Sequence, residues 1–219
     1  MPEAQVIAGY SFLEEIFNSI THGVGAVVSI AALVLLIVFS SIYGSLSHII
    51  SCTIFGLTLV LLYTASTLYH SFQKPNLKHL FRIFDHSCIY VLIAGTYTPF
   101  MLVTIHGVLG WSIFAFVWSL TVIGVFLKIF FVHRFNIIST IAYILMGWIA
   151  IIAIKPLFQA LPEGGFFWLI CGGLAYTSGT VFYAWKRLPF NHAIWHLFVL
   201  TGSVCHFFAV MFYVIPSNV

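Results

Sequence analysis

Long apolar runs separated by short polar breaks dominate the chain. Seven of these runs come close to the about 20 residues that a helix needs to cross a bilayer core: 19–41, 47–70, 84–104, 109–131, 136–155, 166–185 and 192–214. The breaks hold most of the polar residues, as in "HSFQKPNLKHLFR" and "AWKRLPFN". Backbone groups in lipid must be hydrogen-bonded within their own segment. The runs therefore predict an all-α membrane protein, a single bundle of seven transmembrane helices. The expected organisation is a short N-terminal segment over 1–18, one transmembrane domain over 19–214 and a short tail over 215–219. Glycines inside the runs, Gly23 with Gly25 and Gly172 with Gly173, predict close helix packing.

Composition supports this class. The chain is 62% hydrophobic and 6% charged, against about 25% charged in soluble domains, so it has too few charges to cover a globular surface. No nucleic-acid partner is expected. Cys52, Cys88, Cys171 and Cys205 fall inside apolar stretches at no regular spacing, which predicts free thiols rather than disulfides. The N-terminus "MPEAQVIAGYSFLEEIF" is acidic and lacks the basic start of a cleavable signal, so none is expected.

Charge placement sets the expected orientation. With the N-terminus inside, the inner loops carry Lys74, Lys78, Arg82, Lys128, Arg134, Lys186 and Arg187, and the outer loops carry only Lys155. Basic residues favour the cytoplasmic side, so a cytoplasmic N-terminus and an external C-terminus follow. The expected location is the cell (inner or plasma) membrane.

Helix-bound polar residues then gather at one end. His192 and His196 open the seventh run four residues apart, which stacks them on one helix face about 6 Å apart. His70 closes the second run, and Asp85 opens the third at the same level as the one acidic residue expected near an interior face. Glu15, Asn18 and His22 share a face of the first helix. Three histidines with an open fourth position are the ligand set of a catalytic zinc site, although other divalent transition metals accept imidazole too. His70, His192 and His196 are the predicted ligands, and Asp85 is the natural partner for water on the metal, as base or as orienting group. Ser66, one turn before His70, can hydrogen-bond a ligand or a developing oxyanion.

Simpler roles suffice for the remaining polar groups. His22 is expected to pack or to support a ligand, and His206 to hydrogen-bond between helices. His48, His106 and His133 are expected at the interface. Pairing with Arg82 or capping its helix is the simpler role open to Asp85.

The stretches "NSITHGVGA", "STLYHSF", "DHSCIYVLIAGTYTPF" and "NHAIWHLFVLTGSVCHFF" resemble the hemolysin III family, the bacterial branch of the superfamily of progestin and adipoQ receptors, more remotely related to alkaline ceramidases. The resemblance runs from Glu15 to about Tyr213. It implies a seven-helix bundle with a cytoplasmic N-terminus, zinc on His70, His192 and His196, and Asp85 holding a water on the metal. The motif positions show no departure from the family pattern. No large N-terminal cytoplasmic domain of the kind found in the animal receptors is expected here, so hormone reception is not expected to carry over.

Three functions are then open. A metal-dependent hydrolase of lipid amide or ester bonds, or a membrane-lipid homeostasis factor derived from one, takes membrane lipids as substrate or ligand. A non-catalytic membrane sensor would use the metal to fix the bundle. A pore-forming cytolysin, suggested by the family name, fits least, because a pore needs a continuous polar lining and the outer halves of these runs are almost uniformly apolar.

Overall fold

The computed structural model describes residues 10–215. All of its regular elements are helical, and seven are long and apolar enough to cross a membrane. These are α1 (Phe12–Tyr43), α2 (Leu46–Ser71), α3 (Pro75–Pro99) with its wider extension Phe100–Ile105, α4 (Gly107–Phe131), α5 (Asn136–Gly147) continued by the tighter turn Trp148–Ala153 into α6 (Ile154–Ala160), α7 (Glu163–Ala184) and α8 (Asn191–Tyr213). The chain is thus a multi-pass membrane protein. Helices α1, α2, α3 and α4 pack in sequence, α7 packs on α8, and α1 also meets α8.

Two helices begin well before their apolar runs. Ser11 caps α1, its Oγ accepting from the Glu14 N–H while the Glu14 carboxylate accepts from the Ser11 N–H. This capping box starts the helix at Phe12 rather than at 19, inside the segment assigned to the N-terminal tail. Pro75 starts α3, at a first helical position where its missing N–H costs nothing, rather than at 84. Lys78 and Arg82 are therefore helical, and Asp85 lies about 15 Å along α3 instead of opening it. His22 likewise lies about 15 Å into α1.

The fifth span is not one regular helix. The Tyr97 hydroxyl donates to Gly147 O at 2.7 Å and accepts from the Ala150 N–H at 2.7 Å. A side chain inserted into the backbone ladder takes over hydrogen bonds that a regular helix would make with itself.

Burial is inverted relative to a water-soluble domain. Val27, Val122 and Ile152 point outward, whereas Glu15, Asn18, His22, His70, Asp85, His192 and His196 are buried. Seven of the eight basic residues fall at the bundle end where α1 begins and α2 finishes, with Lys155 at the other. All four cysteines are free.

Candidate metal centre

His192 and His196 are positioned by the turn into α8. Phe190 takes a left-handed backbone (φ 56°), and its N–H donates to Glu14 Oε1 at 3.2 Å. The Asn191 side chain donates to Phe182 O and Tyr183 O at the end of α7. These bonds fix where α8 starts, and its first two turns present His192 and His196 inward. His70 comes from the last turn of α2, which Ser71 ties to α1 through a 2.7 Å bond between its hydroxyl and that of Ser19.

One nitrogen from each of His70, His192 and His196 lies within 4.8 Å of the others, and all three side chains are buried. A tetrahedral zinc with nitrogens about 2.0–2.1 Å away separates its ligands by about 3.3 Å. The three are thus close enough for small side-chain rotations to bring them onto one ion.

The hydrogen bonds of the rings fit that use. His70 Nδ1 is 2.5 Å from Glu15 Oε2, His196 Nδ1 is 3.2 Å from Asn18 O and 3.1 Å from Thr21 Oγ1, and His192 Nδ1 is 3.2 Å from the Tyr10 hydroxyl. A carboxylate and a backbone carbonyl only accept. His70 and His196 therefore carry their proton on Nδ1 and keep a lone pair on Nε2, and the Tyr10 oxygen can accept from His192 in the same way. His70 Nε2 and His192 Nε2 have no hydrogen-bond partner among the described residues. Metal-bound histidines typically anchor the second ring nitrogen in this manner, and here every anchor comes from Tyr10 or α1.

Glu15 corrects the expectation that Asp85 is the one acidic residue near an interior face. It is only 2% exposed, and its second oxygen is 2.8 Å from the buried Lys78 ammonium. Its shared face with Asn18 and His22 was visible in the sequence; its partners, 55 and 63 residues away, were not. Tyr10 was also missed, because it precedes every apolar run. Burial pushes its hydroxyl pKa up, so it is a neutral phenol at the His192 ring.

Asp85 is buried and faces a mostly apolar cavity together with His192 and His196. It pairs with His86 at 3.4 Å rather than with Arg82, which bonds His133 instead. Ser66 is fully buried one turn before His70, and its hydroxyl has no hydrogen-bond partner among the described residues; neither Ser66 nor His70 reaches the cavity wall. His22 stacks on His196 with ring centroids 3.4 Å apart and an interplanar angle of 14°.

His48 is buried in the first turn of α2, where its Nδ1 accepts the Ser45 N–H at 3.0 Å and closes the helix start. His206 stacks on Tyr176 against Gly172, and its Nδ1 has no hydrogen-bond partner among the described residues. It fills the α7–α8 contact by shape. His106 and His133 are exposed, as expected.

A seven-span bundle with three anchored histidines beside an apolar cavity defines an integral membrane protein with a buried candidate metal centre. The chain belongs to the haemolysin-III-related family, whose model matches residues 10–207. It is 53% identical over 204 residues to "Hemolysin-3" of Bacillus cereus, covering 93% of each chain. It is also 53% identical to the "Hemolysin-3 homolog" of Bacillus subtilis (strain 168), covering 93% of this chain and 96% of that one. The human "Monocyte to macrophage differentiation factor" is 30% identical over 153 residues, 67% of this chain and 62% of that protein. No solved structure matches the chain.

Proposed function

We propose that this protein is a metal-dependent hydrolase of lipid amide or ester bonds, or a membrane-lipid homeostasis factor derived from one, in the cell membrane with its N-terminus in the cytoplasm. The observation that carries the reading is the set of three buried histidines, each held at Nδ1, beside a cavity that also presents the Asp85 carboxylate. Zinc fits the all-imidazole donor set, and when bound it would polarise a carbonyl and lower the pKa of water to about 7. His70, His192 and His196 would hold the ion. Asp85 accepts the proton of the attacking water and returns it to the leaving group, and His86 orients its carboxylate. The apolar wall admits the acyl chains and keeps bulk water out.

The relatives named hemolysins raise lysis as a second reading. Among the described residues the outer halves of the spans carry only scattered polar groups, such as Thr96 and His206, and not the continuous polar lining of a pore, which supports lysis through lipid chemistry rather than through a channel.

Hydrolysis of lipid amides and esters by detergent-purified protein tests the proposal. Wild type is expected to release fatty acid in a chelator-sensitive reaction. Asp85→Asn is expected to keep its metal and lose about 100-fold or more in rate, within the range of general acid–base contributions. Hydrolysis that survives both metal removal and Asp85→Asn would overturn it, whereas an inactive protein with a tightly held metal would favour the sensor.

A further inference from the structure

Two lysines are buried in this bundle, and the fold treats them differently. Lys78 has Glu15 Oε1 at 2.8 Å, Tyr69 O at 3.3 Å and the Tyr69 ring at 4.9 Å from its ammonium. Lys128, in the last turn of α4, is only 2% exposed. Its ammonium has no hydrogen-bond partner among the described residues, and no carboxylate there lies within 4.0 Å of it. The one acidic side chain on the same cavity among the described residues, Asp85, is paired with His86.

A buried cation without a partner is strongly disfavoured, and ionisable groups at membrane depth usually mark a site rather than a packing position. Lys128 faces the cavity that also holds His192 and His196. That cavity runs from Asp85 to Met101, about 24 Å along α3 and most of the about 30 Å hydrocarbon core. A cavity volume of about 170 Å³ spread over that length makes a long and narrow space that suits one acyl chain. Along this length the wall is mostly apolar, through Ile89, Ile93, Phe100 and Ile144. The cavity therefore has a cation near one end and an oily bore leading away from it.

We propose that Lys128 is the head-group anchor of this cavity, binding an oxyanion, carboxylate or phosphate, of an amphiphile whose acyl chain lies along the apolar wall. The proposal rests on the reading of the cavity as a lipid site, but not on hydrolysis. It assigns anionic lipids as the preferred occupants, and it gives the end of α4 a part in selecting them. Lysine supplies a compact point charge with three donors, so either oxyanion can be held; the acyl chain supplies the remaining affinity.

The test uses purified full-length protein stripped of metal by a chelator, so that a bound cation cannot hold the anion. Trp148 and Trp195 line the cavity and report its occupation by fluorescence. Oleate, 1-oleoyl lysophosphatidate and the uncharged 1-oleoylglycerol are titrated in turn. At least one anionic probe is expected to bind about ten- to a hundred-fold tighter than oleoylglycerol, the size of one hydrogen bond to a charged group. Whichever of oleate and lysophosphatidate binds tighter identifies the head group.

Lys128→Met is expected to abolish the preference while leaving oleoylglycerol binding nearly unchanged, and Lys128→Arg to retain it. Equal binding of charged and uncharged probes by wild type would overturn the proposal. So would a preference that survives Lys128→Met, or one that appears only when metal is restored. Because binding is read without metal or turnover, failure of the hydrolysis assay leaves this result standing, and the converse also holds.

Discussion

The Glu15 carboxylate joins a predicted metal ligand to a buried cation: Oε2 is 2.5 Å from His70 Nδ1 and Oε1 is 2.8 Å from Lys78 Nζ. Three helices meet at this one side chain, because Glu15 lies on α1, His70 on α2 and Lys78 on α3. The ion pair fixes the carboxylate, and the carboxylate fixes both the orientation and the tautomer of the ring.

Glu15→Gln weakens both bonds while nearly preserving shape. Metal affinity, measured by competition with a chelator, is expected to fall about 10- to 100-fold, as for other groups that orient a metal-bound histidine. Unchanged affinity would remove Glu15 from the site. Glu15→Ala leaves Lys78 unpaired in the interior and should cost about 3–5 kcal/mol. Adding Lys78→Met to that variant should recover much of the loss, since the stranded charge goes with it.

The α1–α2 contact allows no side chain at residue 25. A Cβ added to Gly25 would lie 2.5 Å from the Tyr63 ring, and that ring is held by a 2.7 Å hydrogen bond from its hydroxyl to Ser203 on α8. Gly25→Ala therefore has to push α1 away from α2, at an expected cost of about 1–3 kcal/mol for overpacking. A lower midpoint of thermal unfolding in detergent checks this; an unchanged midpoint would show that the helices separate freely.

Outside the spans, His133 bridges the α4–α5 turn to α3. Arg82 Nη1 donates to His133 Nδ1 at 2.9 Å, and His133 Nε2 bonds His79 Nδ1 at 2.8 Å. Partial burial, followed by the positive Arg82, lowers the His133 pKa. The folded state therefore disfavours the imidazolium, and the unfolded chain takes up the proton first. The stabilisation is present above the unfolded value of about 6.5 and is lost as pH falls through the lower folded value. The His133 ring resonances should titrate below those of a free histidine. A midpoint at or above 6.5 would contradict the Arg82 contact.

Most of the scaffold was legible because hydropathy is read along single helices. The runs 47–70, 109–131 and 192–214 differ by no more than two residues at either end from Leu46–Ser71, Gly107–Phe131 and Asn191–Tyr213. Hydropathy failed where a helix begins with polar residues, as α1 does at Glu14 and Glu15 and α3 at Lys78 and Arg82. It also failed at Trp148–Ala153, because Tyr97, which takes over the hydrogen bonds there, is about 50 residues earlier in the chain.

Within the candidate site, helix spacing and end matching were enough to group His70, His192 and His196, which the structure brings together. Their anchors were not readable, because an anchor is a pairing between helices: Tyr10 with His192, Glu15 with His70, Asn18 with His196. Lys128 looked like one more basic loop residue. Only the packing of α4 shows that its ammonium is shut inside the cavity wall.

The most direct measurement is elemental analysis of detergent-purified wild type beside a His192→Ala/His196→Ala double variant whose fold is confirmed by circular dichroism. About one zinc, or another divalent transition metal, per chain in the wild type and none in the folded double variant is the predicted result. No metal in either protein, or equal metal in both, would contradict the account and leave the three histidines as packing residues of the bundle.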